Sequence, residues 1–158
     1  MSAIDRFCRS LGLVVLAAAT SACTATGRGY FTPALSADAA NLSPAAAAAV
    51  ADDMVAKLAE HVGPGTGTIV VKPDGSAFGR SLEESLRGWG YAVASNQDAP
   101  GDNIIPLAYV VDLFEGTVMT RISTPSVELT RTYSMSATGA TPTSPLSVMQ
   151  RASQGEGT

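Results

Sequence analysis

The chain has 158 residues, with Lys+Arg 10 against Asp+Glu 14 for a net charge of −4, and 46% of it belongs to hydrophobic types. Such a balance supplies no positive field to gather phosphates, which excludes nucleic-acid binding as a first reading. Two cysteines and one histidine are too few for a closed zinc site or a disulfide-dense scaffold. Alanine accounts for 26 residues, so the larger hydrophobes suffice for one modest domain.

The N-terminus reads as an export address. Arg6 and Arg9 precede the apolar run Leu11-Gly-Leu-Val-Val-Leu-Ala-Ala-Ala19, which is too short for the roughly 20 residues of a membrane-spanning helix but suits a signal peptide. Thr20, Ser21 and Ala22 then lead into Cys23. Small residues directly before a cysteine resemble the lipobox of bacterial lipoproteins, in which the thiol is acylated and becomes the new N-terminus. Thr20 departs from the aliphatic residue usual at that position. The alternative is ordinary signal-peptidase cleavage after Ala19, Ala22 or Ala25, which leaves Cys23 an incidental thiol. An acylated Cys23 gains about 0.8 kcal/mol per buried CH₂, and several chains anchor stably where one is marginal. The expected organisation is a signal peptide over 1–22, a lipidated flexible linker over 23–42, a folded domain over 43–136 and a mostly disordered tail over 137–158. Within the linker, Tyr30 and Phe31 are adjacent aromatics that suit docking to a partner or folding back on the domain.

Ser43 before Pro44 is a helix start, an N-cap followed by a residue whose missing N–H costs nothing there. Val50, Met54, Leu58 and Val62 recur every fourth residue, Asp53 and Lys57 are spaced to pair, and Gly63-Pro64 ends the helix. The β-branched run over 66–72 predicts a strand. Phe78, Leu82, Leu86 and Trp89 share a face of a second helix, with Asp74, Ser76 or Ser81 as its cap, and Gly88 and Gly90 stop it. Strands are predicted over 91–95, 104–114, 117–122 and 126–136, the middle pair joined by a turn at Glu115-Gly116. Pro106 requires either a later start for its strand or an edge position. Arg131 interrupts an apolar face, its stem placed to cover the core edge while its guanidinium reaches water. The order of elements predicts an α+β domain with two helices packed on one face of a small, largely antiparallel sheet.

No motif carries enzyme chemistry. Gly63, Gly65 and Gly67 precede a strand rather than follow one, so a phosphate would find no helix N-terminus there. GSAFGRS over 75–81 is one residue short of a P-loop and has Arg80 in place of the lysine. Glu83 and Glu84 are adjacent and diverge on a helix, and His61 has no nucleophile turn to serve. No catalytic residue, cofactor or metal ligand is expected. A binding module for glycan or peptide would use Trp89 and Tyr91 as an exposed platform, although Trp89 fits the core face of its helix.

The segments LSADAANLSPAAAAAVADDMVAKLAEHVGPGTGTI, DGSAFGRSLEESLRGWGYAV, IPLAYVVD, RISTPSVELTRTYS and GATPTSPLSVMQR resemble the TrbH family of conjugal transfer lipoproteins, over about 35–151. The resemblance implies a component of a type IV secretion apparatus at the outer membrane, facing the periplasm. It implies other Trb proteins as partners, and work in plasmid transfer without direct contact with DNA. It carries over one residue only, the lipobox cysteine, which maps to Cys23.

Overall fold

The computed structural model describes residues 36–72, 74–95 and 103–151. The expected signal peptide lies outside the described residues. Ten elements follow in order: β1 (Ala37–Asp38), α1 (Pro44–Val62), β2 (Thr68–Val71), α2 (Ala77–Gly88), β3 (Ala92–Ala94), β4 (Ile104–Phe114), β5 (Thr117–Ser123), β6 (Val127–Ser136), β7 (Gly139–Pro142) and β8 (Ser147–Gln150). They form an α+β fold, two helices with an eight-stranded mixed sheet. No helix among the described residues is long and apolar enough to cross a membrane.

Local chemistry fixes both helices. The Ser43 hydroxyl accepts from the Ala46 N–H at 3.3 Å and Pro44 opens the first turn, which satisfies one of the free N–H groups of a helix start. At the other end Gly63 turns at φ +82° and donates its N–H to Ala59. The face of α1 that enters the core is Ala46, Ala47, Val50, Ala51, Met54, Val55, Leu58 and Ala59. For α2 the cap is Ser76, accepting from the Gly79 N–H at 2.9 Å, and the buried stripe is Phe78, Leu82 and Leu86. These side chains meet Leu107, Tyr109 and Val111 of β4, Val118 and Ile122 of β5, and Val127, Leu129 and Tyr133 of β6 in one core.

The sheet runs β3-β2-β4-β5-β6-β7, with β1 also beside β4 and β8 also beside β6. The pairings of β2 with β3, β2 with β4 and β1 with β4 are parallel. From β4 onward all pairings are antiparallel. Because β2 and β3 are parallel, their link must cross back over the sheet, and α2 is that link. Glu115 and Gly116 take φ values of +47° and +79°, the two positive angles of a tight hairpin turn whose twist matches that of the flanking strands. Pro106 lies where β4 pairs with β2 while its pairing with β5 begins only at Ala108. A residue without an N–H is tolerated on such a one-sided stretch.

Both expected boundaries of the domain move outward. The linker expected to run to residue 42 is already structured at β1, where Ala37 and Asp38 pair with Val110 and Val111, and Leu42 is buried. The segment expected to be a disordered tail folds as far as Arg151. There β7 pairs with residues 133–136 and β8 with residues 127–130 of β6, so the two short strands share one side of β6. Between them, Thr143 donates its N–H to Thr132 and the Ser144 hydroxyl accepts from the Thr132 N–H. Leu146 packs against the core. The Ser, Thr and Pro content read as disorder is what a short outer strand tolerates, because it needs hydrogen bonds on one side only.

Two tyrosine–carboxylate pairs tie the layers together. Tyr133 of β6 donates to Asp53 of α1 at 2.6 Å, and Arg131 reaches the same carboxylate at 2.9 Å. Asp53 therefore does not pair with Lys57, whose ammonium meets Glu60, and the Arg131 guanidinium ends on a carboxylate instead of in water. Tyr109 of β4 donates to Asp74 at 2.6 Å, while the backbone N–H groups of Ser76 and Asp38 donate to that carboxylate from either side. Burial first, then the bond to a carboxylate, holds both phenols far above their usual range.

Candidate functional site

The end of α2 sets the geometry of the candidate site. Trp89 closes the helix, Gly90 turns at φ +90°, and two bonds follow, Gly90 N–H to Arg87 and Tyr91 N–H to Leu86, at 3.0 and 3.1 Å. That pair of bonds is the Schellman arrangement, which reverses the chain after a helix and drives the residue beyond the turn against the last apolar turn. Tyr91 accordingly enters the core, and its hydroxyl donates to the Gly63 carbonyl at 2.5 Å. Trp89 stays outside the reversal, 43% exposed. The helical spacing that predicts Trp89 in the core thus fails at the last position, where the helix has already stopped. A platform of Trp89 and Tyr91 together is likewise absent, because burial of Tyr91 removes one of its two rings.

Trp89 ends a groove of about 480 Å³ between the helices, lined also by Ala48 and Asp52 of α1 and by Ser81, Glu84, Ser85 and Gly88 of α2. The spacing explains it. Ala48 and Asp52 are four apart, and Ser81, Glu84, Ser85 and Gly88 fall within two turns, so each set shares a face of its helix. Small side chains at four of these positions leave the space open, and a Cβ added at Gly88 would meet nothing within 4 Å. Ser85 is 8% exposed. Neither Asp52 nor Glu84 joins a salt bridge among the described residues. The groove therefore presents two carboxylates, two hydroxyls and an indole, with no cation among its lining residues.

Thr20, Ser21, Ala22 and Cys23, with Tyr30 and Phe31, lie outside the described residues. His61 is exposed in the last turn of α1 and does not line the groove. Among the described residues no three His, Cys, Asp or Glu side chains stand together as a metal site. The sequence singles out neither Asp52 nor Ser85, and offers Ser81 only as a helix cap and Glu84 only beside Glu83. Their one visible signal is the run of small residues at positions 81, 85 and 88 on a single face of α2.

The family model for conjugal transfer protein TrbH matches residues 26–152. The chain belongs to the TrbH family. A probable conjugal transfer protein TrbH of Sinorhizobium fredii (strain NBRC 101917 / NGR234) is 44% identical over 111 residues, covering 67% of this chain and 75% of the relative. No solved structure matches. TrbH membership implies a role in conjugation, and TrbH is not a known enzyme family.

Proposed function

We propose that the chain is a structural lipoprotein of a conjugative type IV secretion apparatus, anchored by acylated Cys23 in the outer membrane, with its α+β domain facing the periplasm and holding partner proteins there during plasmid transfer. The observation that carries this reading is the family match over residues 26–152, joined to a cysteine preceded by small residues at the end of an apolar run. Acidic net charge agrees with partners other than DNA. The domain offers two kinds of contact surface. One is β8, all four of whose residues are exposed and whose outer side carries no further strand among the described residues, so it can accept a strand from a neighbour. The other is the groove at Trp89.

A second reading, a periplasmic glycan- or peptide-binding module, has the exposure of Trp89 in its favour and the burial of Tyr91 against it. The membrane claim is tested by replacing Cys23 with Ser in donor cells and floating the membranes. The expected result is release of the chain from the membrane fraction and a fall in transfer frequency. An unchanged membrane-bound fraction would sink the anchoring claim.

A further inference from the structure

The two helices carry five acidic residues, and their pairing divides sharply. Asp53 meets Arg131, Glu60 meets Lys57 and Glu83 meets Arg87. Asp52 and Glu84, the two that line the groove, form no salt bridge among the described residues. Arg87 is within helical reach of both Glu83 and Glu84, yet it bonds Glu83 at 2.9 Å. The groove thus keeps its negative charge. Beside these carboxylates lies the Ser85 hydroxyl, on a residue more than nine-tenths buried, lining the groove and making no side-chain hydrogen bond among the described residues. At the end stands the half-exposed indole of Trp89.

We propose that this groove receives an arginine or lysine side chain from a partner protein, the cation resting against Trp89 with Asp52 and Glu84 as its counter-charges and Ser85 as a hydrogen-bond acceptor. The inference deepens the reading of the domain as a protein-holding module and rests on it. An indole face attracts a cation through its quadrupole, and more strongly once water is excluded. Two uncompensated carboxylates add a field that a neutral sugar cannot use. Arginine fits best, since its planar fork can stack on the ring and still donate to carboxylate and hydroxyl oxygens at once. A volume of about 480 Å³ accepts a guanidinium with its stem. No third His, Cys, Asp or Glu among the described residues joins these two carboxylates to make a metal-binding group.

Trp89 is the one tryptophan of the chain, so its emission reports on the groove directly. The test titrates the full chain in detergent, at low ionic strength, with an acetylated tetrapeptide containing two central arginines, and in parallel with its citrulline counterpart and with a chitin tetrasaccharide. The expected result is a saturable change in emission with the arginine peptide, reversed by salt, and binding about tenfold weaker or less for the two neutral probes. Asp52→Asn combined with Glu84→Gln is expected to weaken arginine-peptide binding about tenfold. Gly88→Leu, which fills open space on a helix, is expected to abolish it while the thermal midpoint is kept. The proposal is overturned by the absence of saturation at millimolar peptide, by equal binding of the citrulline peptide or the tetrasaccharide, or by undiminished binding in the double variant. Membrane flotation separates the two claims. Failure of the groove leaves the Cys23→Ser result untouched, and a soluble Cys23→Ser chain still titrates.

Discussion

Gly79 sits inside α2, where alanine would favour the helix by about 1 kcal/mol. Yet a Cβ there would come to 2.5 Å from the Tyr109 hydroxyl and 3.1 Å from Asp74. The tyrosine would have to move, and an orphaned buried hydroxyl costs about 1–3 kcal/mol. Gly79→Ala is therefore expected to destabilise the domain by about 1 kcal/mol net, read as a lower urea midpoint; a midpoint at or above the parent's would mean that the Tyr109–Asp74 bond contributes little. The same cluster has an acid limb. Burial raises Asp74, but the bonds from Ser76, Tyr109 and Asp38 outweigh it and hold the carboxyl below its ordinary value. A depressed pKa means that the charged form stabilises the fold above the unfolded value of about 4 and that this is lost as pH falls through the folded value. Asp38 is shifted the other way, by burial first, so its protonation opposes that loss. Asp74→Asn is expected to lower stability at pH 7 and to flatten the decline below about pH 4. A parallel decline in parent and variant would remove Asp74 from the acid response.

At the scale of elements, β7 and β8 separate a tail from a folded edge. Removing residues 144–158 takes away the partner of residues 127–130, the Ser144 carbonyl that accepts from Arg131, and Leu146. A loss of about 2 kcal/mol is expected, seen as a thermal midpoint lower by about 10 °C; an unchanged midpoint would restore the disordered reading. The strands and helices with their own periodicity were legible in the sequence: β4 spans the predicted residues, and Ser43 with Gly63 bounds α1 where expected. What periodicity could not carry were pairings made at long range. Helical spacing pairs Asp53 with Lys57 because neighbours along a helix are visible, whereas Arg131 and Tyr133 lie far along the chain. Strands β7 and β8 have little apolar alternation because β6 supplies their hydrogen bonds, all of β8 is exposed, and only Gly139 and Ala140 of β7 are half-buried. Helical spacing places Trp89 in the core, but the helix ends at Gly88, one residue before it. The groove is the joint product of two helices whose mutual packing no local pattern encodes.

Over the whole molecule, chemistry is divided by position. The N-terminal segment holds Cys23, on which the proposed anchoring rests, the core is apolar, and among the described residues the edge at β8 and the acidic groove at Trp89 are open to contact. The proposed protein contact needs no catalytic group, and TrbH is not a known enzyme family. The most direct measurement is photocrosslinking in mating donor cells, with a photoreactive residue in place of Ser81 at the groove, of Val148 on the β8 edge, and of the exposed Lys72 as reference. Adducts to other proteins of the transfer apparatus are expected from Ser81, Val148 or both, above those from Lys72. Adducts no more frequent from either site than from Lys72, in cells that transfer DNA normally, would contradict a protein-holding role for the domain.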